Sequence, residues 1–242
     1  MSFKVLEYRR LPAILALITA FIVGVHVATL VLAYGFGHDY LMGIRDLFDL
    51  DGERNIPAVF STGLLLICSA LLWKISFNQK RGMKPRTIFW IGLAILFIYL
   101  AADEGLEIHE RLSKLIAGAH TSALMSEYSW EEPYAIFVGV VGLLYLRFLF
   151  QLPRRIALWF ILAGTIYVTG ALGFEYLGQR YVERFHSEMT AGYDTLSAIE
   201  ETLEMVGAIV FIAVLQSYRV LQQRRPVTET SPERVVVQST AL

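Results

Sequence analysis

Six stretches of apolar residues, each long enough to cross a bilayer, divide this chain: Leu11–Tyr34, Ile56–Ile75, Thr87–Leu106, Pro133–Leu152, Ile156–Leu177 and Ser197–Val220. A hydrocarbon core needs about 20 apolar residues of helix. In lipid, helices are the economical way to satisfy every backbone amide within one segment. The pattern predicts an all-α polytopic membrane helical bundle of six transmembrane helices. Composition agrees, with 55% hydrophobic and 18% charged residues and a mean hydropathy of +0.52. A net charge of −1 gives no basic field for nucleic acid, and the lone Cys68 excludes an intrachain disulfide.

Lys and Arg set the orientation. Fifteen of them fall at the N-terminus, in the second and fourth connections and in the tail, whereas each of the other three connections holds two. Both termini are therefore expected in the cytoplasm, in a bacterial inner membrane. Residues 1–225 form the transmembrane domain, and 226–242 a mobile cytoplasmic tail. The first span is read as a retained anchor, because its apolar run exceeds a signal-peptide core. Asn55 is placed to cap the second helix, with Pro57 in its first turn. Leu41, Ile44, Leu47 and Phe48 predict a short helix on the membrane surface. Trp73, Trp90, Trp159 and Tyr218 are expected in one aromatic belt, and Tyr34, Tyr128, Trp130 and Tyr134 in the other.

On this topology, all acids except Glu7, Glu229 and Glu233 lie on the outer half, with all five histidines. Loop acids such as Asp39, Asp46, Glu127, Glu188 and Asp194 read as solvated surface. Others sit inside the spans. Measured from the cytoplasmic ends, His26, Asp103, Glu175, Glu201 and Glu204 lie about 22–28 Å along their helices, one layer of the outer leaflet. Charged groups there are costly unless they face one another, water or a cation. Glu175 shares a face with Gly164, Ala171 and Gly178, and Glu204 lies one turn from Gly207 and Ala208. Such small residues mark surfaces of close helix approach.

Carboxylates with imidazoles bind hard or borderline divalent cations. The predicted metal ligands are His26, Asp103, Glu104, Glu107, His109, Glu175, Glu201 and Glu204. The Glu-x-x-His element of di-iron bundles is met only by Glu183-Arg-Phe-His186, outside the apolar spans; Glu201-Thr-Leu-Glu204 carries Glu in place of His. The segment from Asp49 to Glu53 fails the EF-hand pattern and reads as a turn into the second helix, with acids reaching over the site as the alternative.

Two segments, Asp49-Leu-Asp51-Gly-Glu53-Arg-Asn55-Ile-Pro57 and Asp103-Glu104 with His109-Glu110-Arg111, resemble parts of uncharacterised bacterial multi-pass membrane proteins. The resemblance covers about the first half of the chain and implies no activity. The paired-histidine element of alkaline-ceramidase and adiponectin-receptor hydrolases has no match. The leading expectation is a divalent-metal site, in an enzyme acting on a lipid or other apolar small molecule. The alternatives are a proton- or cation-coupled transporter or channel, and an accessory subunit of a membrane complex.

Overall fold

Helix formation in this chain follows the apolar stretches and then outruns them. The computed structural model describes residues 3–38, 42–78, 85–106, 108, 111, 131–187 and 190–224. Among them there is no strand. The elements are α1 (Phe3–Leu30), continued by a π-helical segment (Val31–Gly35), α2 (Ile44–Phe48), α3 (Ile56–Phe77), α4 (Pro85–Leu106), α5 (Glu131–Leu149), α6 (Arg154–Val168), a second π-helical segment (Thr169–Phe174), α7 (Glu175–Phe185) and α8 (Ala191–Arg224). Glu107, His109, Tyr128, Trp130 and the tail 226–242 lie outside the described residues.

Among the described residues, four stretches are long and apolar enough to cross a membrane: Arg10–Gly35, Ile56–Phe77, Arg86–Leu106 and Arg154–Phe185; Ala135–Leu149 is a shorter apolar helix. The expected fifth span ends at Leu177, yet the helix runs on through α7 to Phe185. The expected sixth lies within α8, which is 34 residues long. Hydropathy measures the apolar part of a helix, and the polar turns beyond it keep their backbone hydrogen bonds just as well.

The acids and bases separate to opposite ends. Arg10, Lys74, Arg86, Arg154 and Arg219 mark a basic end, whereas Asp103, Glu104, Glu175 and Glu200 mark an acidic end. At the basic end the core is aromatic. Trp90 is fully buried, with ring centroids 4.9 Å from Phe148, 4.9 Å from Tyr218 and 5.9 Å from Phe160. Trp90 is thus a core residue and not the interfacial anchor that its position near a span end predicts. α8 packs against α1, α3 and α6 and fills the middle of the bundle.

Glycine closes the crossing of α6 on α8. A Cβ at Gly207 would meet the Tyr167 backbone nitrogen at 2.7 Å, and one at Gly170 would meet the Glu200 carbonyl oxygen at the same distance. By contrast α5 touches its neighbours sparsely. It is held mainly near the basic end, where the Tyr145 hydroxyl donates to the Phe89 carbonyl at 3.1 Å and packs where Gly92 has no side chain.

Candidate functional site: an acidic cavity in the bundle

A cavity of 770 Å³ opens between α4, α5, α6–α7 and α8, roofed by the loop Leu50–Glu53. Each long wall is a single helical stripe that changes character along its length. On α4 the stripe runs Leu93, Leu96, Leu100, Asp103; on α8 it runs Phe211, Gly207, Glu204, Glu200, Ser197. Spacings of three and four residues keep these side chains on one face. The cavity therefore has an aromatic floor of Phe148, Phe160 and Phe211 and a carboxylate layer above it. Nine acids line it and, among the described lining residues, no Lys, Arg or His.

Room for the cavity comes from small side chains halfway up. Gly142 and Gly164 both line it, and a Cβ at either would meet nothing within 4 Å. The acids differ in environment. Asp103 is buried, Glu104, Glu175, Glu200, Glu201 and Glu204 are half-buried, and Asp51, Glu53 and Glu183 are exposed at the mouth.

Glu183, at the mouth, pairs with Arg180 at 2.8 Å, while several of the deeper acids face one another. The Glu175 and Glu200 carboxyls lie within hydrogen-bonding reach, Glu104 faces both Glu201 and Glu204, and the Tyr167 hydroxyl reaches Glu204. Gln179 donates to Glu175 at 3.0 Å. Carboxylates this close, away from bulk water, repel unless a proton or a cation lies between them. The second π-helical segment ends immediately before Glu175 and helps set its direction. Such insertions shift the helical register and recur at functional sites.

The roof is tied from both sides. Ser197 Oγ donates to Asp51 Oδ1 at 2.7 Å, with the Tyr193 hydroxyl 3.4 Å from the same oxygen. Behind the loop, the Leu50 amide donates to His26 Nδ1 at 3.2 Å. Asn55 caps α3 by accepting from the Ala58 amide at 3.1 Å, and its Nδ2 donates to the Asp49 carbonyl at 2.6 Å. Asp49 Oδ1 lies 3.6 Å from His26 Nδ1. Burial pushes the Asp49 carboxyl above the usual carboxylate range, against the pull of the neighbouring imidazole.

Of the eight predicted ligands, Asp103, Glu104, Glu175, Glu201 and Glu204 line this one cavity. His26 does not; it anchors the roof loop from outside. Glu107 and His109 lie outside the described residues. Among the described residues, no group of three or more His, Cys, Asp or Glu side chains is placed to hold a metal ion. The predicted metal centre thus finds no support in them.

Outside the predicted ligand set, the acids Asp51, Glu53, Glu183 and Glu200 and the phenol of Tyr167 also line the cavity. Glu200 had a signal, since Ser197, Glu200, Glu201 and Glu204 follow helical spacing. Asp194, expected to be solvated, accepts from the Tyr34 hydroxyl at 2.9 Å and from Arg45 at 3.2 Å. It clasps the ends of α1, α2 and α8 together.

No curated protein and no solved structure matches the chain. Residues 14–218 match the family described as Domain of unknown function (DUF8692), and the chain belongs to that family.

Proposed function

We propose that this chain is a six-span protein of the cell membrane, with its basic end and both termini in the cytoplasm, that takes into its acidic cavity a cation carried on an apolar body. One observation carries this reading: nine carboxylates and no basic side chain among the described residues that line a single cavity. An ionised group at the bilayer centre costs about 2.5–3.5 kcal/mol even on the lenient insertion scale. Several acids gathered in one layer therefore favour a bound positive charge. The volume of 770 Å³ falls in the range of small-molecule sites. Phe97, Phe160 and Tyr167 add aromatic faces that attract cations. An amine or quaternary ammonium group on an alkyl or aryl body matches the carboxylate layer and the apolar floor together. A divalent metal matches only the carboxylates.

The closed floor speaks for binding, and for chemistry on a bound molecule, ahead of channel-like conduction. Phe148, Phe160 and Phe211 line the cavity's base, and Trp90 packs against the first two of them.

Titration calorimetry of the protein in lipid nanodiscs, with octyltrimethylammonium and octanoate as probes, tests this reading. The ammonium probe should bind and octanoate should not. Glu204→Gln should weaken binding about tenfold, the worth of one charge-assisted contact. Gly164→Leu, which fills open space, should abolish binding while leaving the fold intact. Octanoate binding as tightly as the ammonium probe would overturn the reading. Stoichiometric manganese or zinc, lost in Glu204→Gln but retained in Gly164→Leu, would return the site to a metal.

A further inference from the structure

A second hollow lies on the opposite side of α3, facing away from the bundle. It is a groove of 610 Å³ between α1, α2 and α3. Ile56, Val59, Gly63 and Ile67 form its wall on α3, Leu15 closes it on α1, and Leu47 of α2 overhangs its upper end. Val59 is 70% exposed and Leu47 47%, so apolar side chains flank an open slot. Apart from Asn55, which caps α3, its one polar lining side chain among the described residues is Arg54, at the mouth.

We infer that this groove holds one acyl chain of a membrane phospholipid, with the Arg54 guanidinium at the level of the lipid phosphate. α1 and α3 both belong to stretches long and apolar enough to cross a membrane, so the slot faces lipid tails. From Ile56 to Ile67 it climbs eleven residues, about 16 Å at ~1.5 Å each, which is half of a ~30 Å hydrocarbon core and the reach of a chain from one leaflet. Arg54 stands two residues above the start of α3, where a headgroup would lie, and guanidinium pairs well with phosphate oxygens. α2, a single short helix with Leu47 turned to the slot, sits at the same level. Arg54 also holds a left-handed backbone, with φ of 57°. That conformation is costly for a residue with a Cβ. Gly63 leaves the middle of the slot open, since a Cβ there would meet nothing within 4 Å.

This inference rests on α1 and α3 being membrane spans and not on what fills the acidic cavity. Its test is native mass spectrometry of the purified full chain, titrated with phosphatidylglycerol and, in parallel, with a diacylglycerol of the same chains. Wild type should carry one tightly held phosphatidylglycerol. Gly63→Leu, whose Cβ would meet nothing within 4 Å and whose side chain would occupy the slot, should reduce its retention by about tenfold or more, as should Arg54→Gln through loss of the charged contact; Arg54→Lys should recover part of it. The unfolding midpoint of delipidated wild type should rise on adding phosphatidylglycerol, and that of Gly63→Leu should not. Equal retention by wild type and Gly63→Leu would overturn the proposal, as would diacylglycerol binding as tightly as phosphatidylglycerol. So would a dimer without lipid that Gly63→Leu dissociates, because the groove would then belong to a second copy of the chain.

Discussion

The same four helices build two different interiors at their two ends. At the basic end, Trp90, Phe148, Ile212 and Leu215 are wholly excluded from solvent, and the rings of Phe89, Trp90, Phe148, Phe160 and Phe211 meet edge to face or stacked. At the acidic end, α4, α5, α6 and α8 enclose an open cavity. The boundary between the two interiors is a belt of small residues, Gly142, Ala163, Gly164, Gly207 and Ala208. Where α6 meets α8, glycine brings the backbones together; where α5 faces α6, it leaves space. The lesson is that one residue type makes both contact and vacancy, according to whether the neighbouring helix is held close.

If the basic end carries the stability and the acidic end the function, substitutions at the two ends should differ sharply in kind. The largest effect is expected for Trp90→Ala. Removing a fully buried indole from three aromatic neighbours should cost about 3–5 kcal/mol, read from chemical unfolding in mixed micelles. A loss below about 1 kcal/mol, the scale of an ordinary surface substitution, would show that the aromatic cluster is not the stabilising element.

Sequence alone showed the helices well and the cavity in part, for reasons that particular residues make plain. Apolar stretches mark spans because the bilayer requires them, and the Asn55 cap was legible because capping is local in sequence. Asp103, Glu104, Glu175, Glu201 and Glu204 could be assigned to one layer because helical rise is constant. Azimuth is harder. The second π-helical segment shifts the register before Glu175, and no periodicity in Thr169–Phe174 announces it. Asp51 and Glu53 were legible only as one alternative, because a loop folds back over the site by contacts distant in sequence, such as Ser197 to Asp51. For His26 the sequence offered a ligand role and a plain hydrogen-bonding role alike, since depth does not reveal that an imidazole meets the Leu50 amide and Asp49.

The roof offers a way to separate the two ends more finely. His26 is almost fully buried, and its Nδ1 accepts from the Leu50 amide, so that nitrogen carries no proton. His26→Phe keeps the ring but leaves a buried amide without an acceptor, which should cost about 1–3 kcal/mol. Hydrogen exchange should rise at Leu50–Asn55 and stay unchanged around Trp90. A rise spread evenly over both ends would mean that His26 supports the whole bundle and not its roof.

The smallest effect, and the most telling about charge, is expected at Asp49. Because burial raises its carboxyl above the usual range, the folded protein holds that proton more tightly than the unfolded chain does. The stabilisation is then complete below the ordinary carboxylate value of about 3.9 and fades as pH rises through the raised folded value. Asn cannot lose a proton, and the main-chain carbonyl that accepts from Asn55 remains. Wild type and Asp49→Asn should therefore unfold alike near pH 4, and the variant should be the more stable at neutral pH. A gap of opposite sign at neutral pH would mean that His26 is protonated there and holds Asp49 ionised across their 3.6 Å separation. The latch would then be an ion pair, and the Leu50 amide would have to find its acceptor elsewhere.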